Sequence, residues 1–193
     1  FTPDTLPSDI IGFSTYDRET GSLVYRSGAV MCHLFLGDEI NRTSAKTQSA
    51  LLEAMEERNV TVDGVTHKLP YPFICIATQN PLGFAGTQRL PESQLDRFMV
   101  RLSIGYPNTE EQIQILQRKM YQDPLENMQK IIDRDDLLEI QNYLTSITVT
   151  KEILRYMTML CEATRSDSRI ELGVSPRGVI ALLKMARACA ILR

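Results

Sequence analysis

Two adjacent carboxylates, Asp38 and Glu39, follow the apolar run at residues 30–36 after a single glycine, Gly37. An acidic pair at such a point suits divalent-metal phosphate chemistry: Asp38 can hold Mg2+, directly or through water, while Glu39 orients or deprotonates an attacking water. The alternative is that both acids merely favour the positive end of the helix that follows. A second apolar run, residues 73–77, leads into Thr78-Gln79-Asn80-Pro81. There Asn80 can hydrogen-bond a γ-phosphate or the attacking water, or it can simply shape a turn before proline. Arg97, in Leu95-Asp96-Arg97-Phe98, can reach across a subunit interface to stabilise a transferring phosphoryl group; the alternative is a surface pair with Asp96. Arg177, in Ser175-Pro176-Arg177-Gly178, puts a cation in the first turn of a helix. Its charge opposes the macrodipole, so a phosphate partner would explain it, and solvent screening could also make it harmless.

These residues need elements to carry them. Runs 30–36 and 73–77 read as buried parallel strands, joined by a helix over about 43–58 with Leu51, Leu52 and Met55 on one face. An open parallel sheet binds its ligands at the carboxyl ends of its strands, which is where Asp38, Glu39 and Asn80 fall. A third strand is expected at 98–104, although Arg101 interrupts its pattern. Hairpins are expected near 12–26, around Glu19-Thr20-Gly21, and near 60–69, around Asp63-Gly64. Beyond Pro107 the pattern is helical, with candidates at 109–122, 125–132, 135–145, 150–165 and 176–192. Asn108 or Thr109, Thr150 and Ser175 are placed to cap three of them. The expected division is an α/β core at 1–107 and an all-α domain at 108–193.

Composition narrows the function classes. The chain has 193 residues, 43% of them hydrophobic, and a net charge of −3, an ordinary globular balance that argues against disorder. Mild acidity gives no electrostatic reason to expect nucleic acid or an anionic membrane as partner. No apolar run approaches the roughly 18 residues needed to span a bilayer, and no secretory leader is apparent, so the expected location is cytoplasmic. Cys32, Cys75, Cys161 and Cys189 lack metal-site spacing and read as buried, reduced thiols.

The order of the motifs is more specific than any one of them. A strand with Asp-Glu, a strand with Asn, Leu-Asp-Arg-Phe and a Ser-Pro-Arg helix resemble the Walker B, sensor 1, arginine finger and sensor 2 series of AAA+ ATPases. The wording is closer still to the MoxR family, in Leu6-Pro-Ser-Asp-Ile-Ile11, Asp38-Glu-Ile-Asn-Arg42, Lys46-Thr-Gln-Ser-Ala-Leu-Leu-Glu-Ala-Met-Glu-Glu-Arg58, Ala77-Thr-Gln-Asn-Pro81 and Gln94-Leu-Asp-Arg-Phe98. The resemblance covers nearly the whole chain. It implies a P-loop NTPase-like parallel sheet followed by a helical lid, with ATP and Mg2+ as cofactors. In such a site Asp38, Asn80, Arg97 and Arg177 contact the nucleotide or its metal, and Glu39, Asn80 and Arg97 are catalytic. It also implies chaperone-like remodelling or maturation of client proteins by a ring, usually hexameric, often beside a von Willebrand factor A-domain partner. The hairpins correspond to insertions that tend to face substrate or pore.

One departure is large. A Walker A loop requires Gly-x-x-x-x-Gly-Lys-Ser/Thr, whose backbone N–H groups and lysine cradle the phosphates. None of the six lysines here follows a glycine. The expectation is therefore a sheet incomplete at its N-terminus, a piece of a longer ATPase that does not hydrolyse ATP by itself. The rival expectation is a non-catalytic interaction module derived from an AAA+ domain.

Overall fold

The computed structural model describes residues 1–80, 90–121 and 128–192. The chain divides into two compact units, Phe1–Phe98 and Met99–Arg193.

In the first unit, helix α1 (Pro7–Ile11) opens with proline at its first position and stops at Gly12, whose φ is +92°. A Cβ at Gly12 would lie 2.3 Å from the Arg26 carbonyl oxygen, so no other residue fits without a shift. Strands β1 (Phe13–Asp17) and β2 (Ser22–Arg26) pair antiparallel, and so do β4 (Asn59–Val62) and β5 (Val65–Lys68). Asp63 and Gly64 both take positive φ between β4 and β5, as an Asp-Gly hairpin turn demands. The two hairpins touch: the Tyr25 and His67 rings stack at 3.8 Å, and the Tyr25 hydroxyl donates to the Ile11 carbonyl at 2.6 Å.

Strand β3 (Leu34–Gly37) pairs in parallel with β6 (Ile74–Ala77), in the register Leu34 to Ile74 through Gly37 to Ala77. Between them in sequence lie a 3₁₀ turn (Ile40–Arg42) and helix α2 (Ala45–Glu57). Ser44 caps α2 by accepting from the Thr47 amide at 3.2 Å. Leu51, Leu52 and Ala54 bury the inner face of α2; Leu51 and Ala54 join Ile10, Val30, Phe35 and Phe73 in one core. Each large side chain removed from water there contributes about 1.5–3 kcal/mol. A short helix α3 (Glu92–Leu95) precedes Arg97.

Three strand and helix expectations need correction. The first strand begins at Leu34, not at residue 30, because α1 consumes the preceding backbone: the Ala29 and Val30 amides donate to the Asp9 and Ile10 carbonyls. Val30 is fully buried, but as a packing residue in a turn. Residues 98–104 form no strand. Among the described residues no neighbouring strand takes up their backbone groups, and Leu102 and Ile104 stand exposed. Of the expected helix at 125–132, residues 125–127 lie outside the described residues and 128–132 are not helical. Met128 and Ile131 are exposed, so that segment has no buried apolar face to stabilise a helix.

The second unit holds α4 (Thr109–Tyr121), α5 (Arg134–Ser146), α6 (Lys151–Ser166) and α7 (Pro176–Leu192). Asn108 and Glu111 cap α4 reciprocally, each side chain accepting from the other's amide at 2.9 Å. Thr150 caps α6, and the Ser175 hydroxyl accepts from the Gly178 amide at 3.0 Å with Pro176 at the first position of α7. Helix α7 packs against both α5 and α6, with Met157 and Cys161 of α6 buried. Among the described residues no helix is long and apolar enough to cross a membrane. All four cysteines are free thiols, but only Cys161 is buried, Cys32 and Cys75 are half-buried and Cys189 is exposed, against the expectation that all four are buried; burial pushes Cys75 up to about 11, which makes it a packing residue rather than a nucleophile.

Candidate functional site

Parallel pairing of β3 with β6 puts the two polar strand ends side by side. The Thr78 amide donates to the Gly37 carbonyl at 2.9 Å, and the Ile40 amide donates to the Thr78 carbonyl at 3.1 Å. These backbone bonds carry the ladder past both strands and bracket Asp38 and Glu39. Gly37 is tight as well: a Cβ there would meet Ile40 Cγ2 at 2.9 Å.

Asp38, Glu39, Asn41, Thr78 and Asn80 are engaged across this junction. The Thr78 hydroxyl donates to Asp38 Oδ1 at 2.6 Å and accepts from the Glu39 amide at 2.8 Å. Asn80 Nδ2 donates to Glu39 Oε1 at 3.2 Å, and Arg42 Nη1 donates to Glu39 Oε2 at 2.9 Å. The Arg42 guanidinium, and after it the Asn80 amide, hold the Glu39 carboxyl below its ordinary value. Asn41, almost fully buried, accepts from the Asn80 amide at 3.3 Å and donates to the Asn80 carbonyl at 3.2 Å, acting as a stretch of strand in side-chain form. Below the turn, buried Gln48 donates to the Ile40 and Thr43 carbonyls, which satisfies backbone groups that water cannot reach.

Glu39 itself is in the left-handed region, with φ and ψ both +50°. For a residue with a Cβ this costs on the order of 1 kcal/mol or more, and such strain persists only where the surroundings over-determine it.

The structure brings Asp38, Glu39 and Asn80 together. Neither acid caps α2, since Ser44 does, and the Asn80 side chain reaches Glu39 rather than closing a local turn. Arg97 lies after α3, where its Nη1 pairs with Glu56 Oε2 of α2 at 2.9 Å rather than with Asp96. Its Nε is buried, and among the described residues it has no hydrogen-bond partner. Arg177 is the second residue of α7 in the second unit and is exposed. Sequence reasoning missed Thr78, Asn41 and Arg42 as parts of this junction. A signal existed for Thr78: two residues before Asn80 in extended backbone, it projects to the same side.

The donor set at the strand ends is all oxygen. Asp38 is exposed, and among the described residues its carboxylate accepts one hydrogen bond, from Thr78. That fits Mg2+, which takes one or two protein carboxylates and completes its shell with water and phosphate.

A parallel strand pair with Asp-Glu after one strand, an asparagine amide after the other and a following all-α unit is the arrangement expected from the resemblance to AAA+ ATPases. Comparison with known proteins agrees. Residues 1–100 match the ATPase family associated with various cellular activities (AAA), and residues 162–193 match the AAA lid domain. The chain is 47% identical to the uncharacterized protein YeaC of Bacillus subtilis over 192 residues, covering all of this chain and 60% of that protein. It is 37% identical to the chaperone MoxR1 of Mycobacterium tuberculosis, covering all of this chain and 53% of MoxR1. The crystal structure of an ATPase candidate from Cytophaga hutchinsonii superposes with a TM-score of 0.84 at 38% identity, over 98% of this chain and 60% of that one. The chain therefore belongs to the MoxR family of AAA+ ATPases. It spans between half and two thirds of the length of these relatives.

Proposed function

We propose that the protein to which this chain belongs hydrolyses ATP and couples that hydrolysis to remodelling or maturation of client proteins. The observation that carries this reading is the Glu39 carboxylate, held on both oxygens by Asn80 and Arg42 one residue after the exposed Asp38. Glu39 is the base or orienting group for the attacking water. Asp38 holds Mg2+, which when bound neutralises charge on the phosphates. Asn80 steadies Glu39 and the water or γ-phosphate beside it. Arg97 serves the nucleotide of a neighbouring subunit, and its buried Nε, which has no partner among the described residues, means that the Glu56 pair does not use up the guanidinium's donors. Arg177, at the start of α7, contacts phosphate.

The reading extends to a ring, hexameric as is usual for the family, in a cytoplasmic setting, with a client protein and a von Willebrand factor A-domain protein as partners. The chaperone designation of MoxR1 supports the client role. Residues 1–107 serve as the ATPase core, with hairpins near 12–26 and 60–69 turned to partners, and 108–193 as the lid. The phosphate-cradling loop belongs to a part of the polypeptide outside these 193 residues. A strand and helix accompanying that loop would cover the face of β3 and β6 on which Leu34, Leu36 and Ile76 are exposed.

One comparative assay tests this. Turnover of Mg·ATP is expected from the full-length protein, and none from the isolated 193-residue chain. In full-length Glu39→Gln, turnover should fall by about 10²–10⁴-fold while nucleotide binding is retained. Unchanged turnover in Glu39→Gln would remove the hydrolytic role, and tight Mg·ATP binding by the isolated chain in calorimetry would refute the placement of the phosphate loop.

A further inference from the structure

Both acids at the strand ends depend on one side chain that the hydrolytic reading leaves without a role. Thr78 has its backbone fixed on either side of the acidic pair, through Gly37 and Ile40. From that anchored position its hydroxyl makes two bonds at once, donating to Asp38 Oδ1 at 2.6 Å and accepting from the Glu39 amide at 2.8 Å. The first is a short charge-assisted bond that sets the rotation of the Asp38 carboxylate and leaves its second oxygen for a cation. The second gives the left-handed Glu39 backbone an acceptor for an N–H that no ladder partner takes up. With Glu39 in that conformation, its carboxylate lies within reach of Asn80 and Arg42.

We propose that Thr78 is a positioning residue, whose hydroxyl orients Asp38 and locks the strained backbone of Glu39 so that the metal-holding and water-orienting carboxylates keep a fixed relation. This rests on the hydrolytic reading above for its consequence in turnover, but not for its consequence in the nucleotide-free protein. Neither Asp38 nor Glu39 can supply the function itself: one hydroxyl, with a donor and an acceptor used in opposite directions, is what lets a single side chain serve a carboxylate and an amide together. Valine keeps the β-branched shape and loses both bonds, whereas serine keeps both bonds and loses a methyl group.

The test uses full-length protein carrying Thr78→Val or Thr78→Ser, with two readouts. In the nucleotide-free state, hydrogen exchange at the Glu39 amide should quicken by about tenfold in Thr78→Val and stay near wild type in Thr78→Ser. With Mg·ATP, Thr78→Val should lower kcat by about 10–100-fold and raise the Mg2+ concentration for half-maximal rate, with KM for ATP within about threefold; Thr78→Ser should restore kcat. Thr78→Ala replaces Thr78→Val should valine disturb the strand end, as judged by exchange across β3 and β6. Wild-type kcat in the hydroxyl-free variant, or equal losses in the serine and valine variants, would overturn the proposal. Absence of turnover in the wild-type full-length protein would defeat the hydrolytic reading instead; the Glu39 amide then decides the matter, and unchanged exchange in Thr78→Val would overturn the role of Thr78.

Discussion

The strand-end junction and the Arg97 corner lie in the same unit and are held in opposite ways. At the junction Asp38, Glu39 and Asn80 are tied by backbone bonds across β3 and β6, by the Thr78 hydroxyl and by the buried Asn41 amide. None of these side chains can move far without breaking a hydrogen bond to its neighbours. Arg97, by contrast, follows a four-residue helix, and among the described residues its guanidinium is held by Glu56, in a pair whose side chains are about 30% exposed. A partly solvated pair of this kind contributes about 0–1 kcal/mol, so redirecting the arginine costs little. Preorganisation suits groups that act within their own subunit, where geometry is set at folding. A lightly held cation suits one whose target arrives only on assembly.

The strongest challenge to this contrast is Arg97→Ala in the full-length protein. It should lower kcat by about 10³–10⁵-fold, the range known for arginines that act on a transferring phosphoryl group. If the arginine serves a neighbour, as proposed, mixing Arg97→Ala with Glu39→Gln subunits should recover part of the turnover that each lacks alone. No recovery on mixing would place Arg97 in its own subunit's site and dissolve the distinction. A smaller effect, on stability, is expected at the junction. Asn41→Ala leaves the Asn80 amide and carbonyl without their buried partner, and should cost about 1–3 kcal/mol in the first denaturant transition. An unchanged midpoint would mean that the junction is held by the strand ladder alone.

How much of this was legible beforehand follows the same divide. Asp38, Glu39 and Asn80 stood out because each follows an apolar run, and parallel strands deliver their carboxyl ends to one edge. Their partners did not stand out, because which residue of β6 faces Asp38 depends on the register Leu34 to Ile74, and hydrophobic pattern leaves a shift of two residues open. The strand start was misplaced for a related reason. Val30 is apolar and buried in either case, and what removes it from the strand is its amide's bond to the Ile10 carbonyl, invisible to periodicity. Residues 98–104 show the converse: the pattern of a strand is present, but a strand exists only where a neighbour takes its backbone bonds. Arg97 was recognised by its motif, while its engagement by Glu56, forty-one positions earlier, reflects the packing of α2 against the segment after α3.

Glu56→Gln sharpens the comparison with the smallest expected effect. If Arg97 is only lightly held, removing the carboxylate charge should cost less than about 1 kcal/mol of stability and change kcat by no more than about threefold. The buried Nε makes the opposite result physically meaningful, because breaking an ion pair that is truly withdrawn from water leaves an uncompensated charge and costs about 3–5 kcal/mol. Denaturant midpoints of Glu56→Gln and Arg97→Ala, measured side by side, separate the cases. Two small shifts keep Arg97 as a poised cation whose large effect is confined to turnover. Two large and similar shifts would make the pair a structural strut, and the loss of activity in Arg97→Ala would then reflect a weakened fold instead of a missing charge at a neighbour's phosphate.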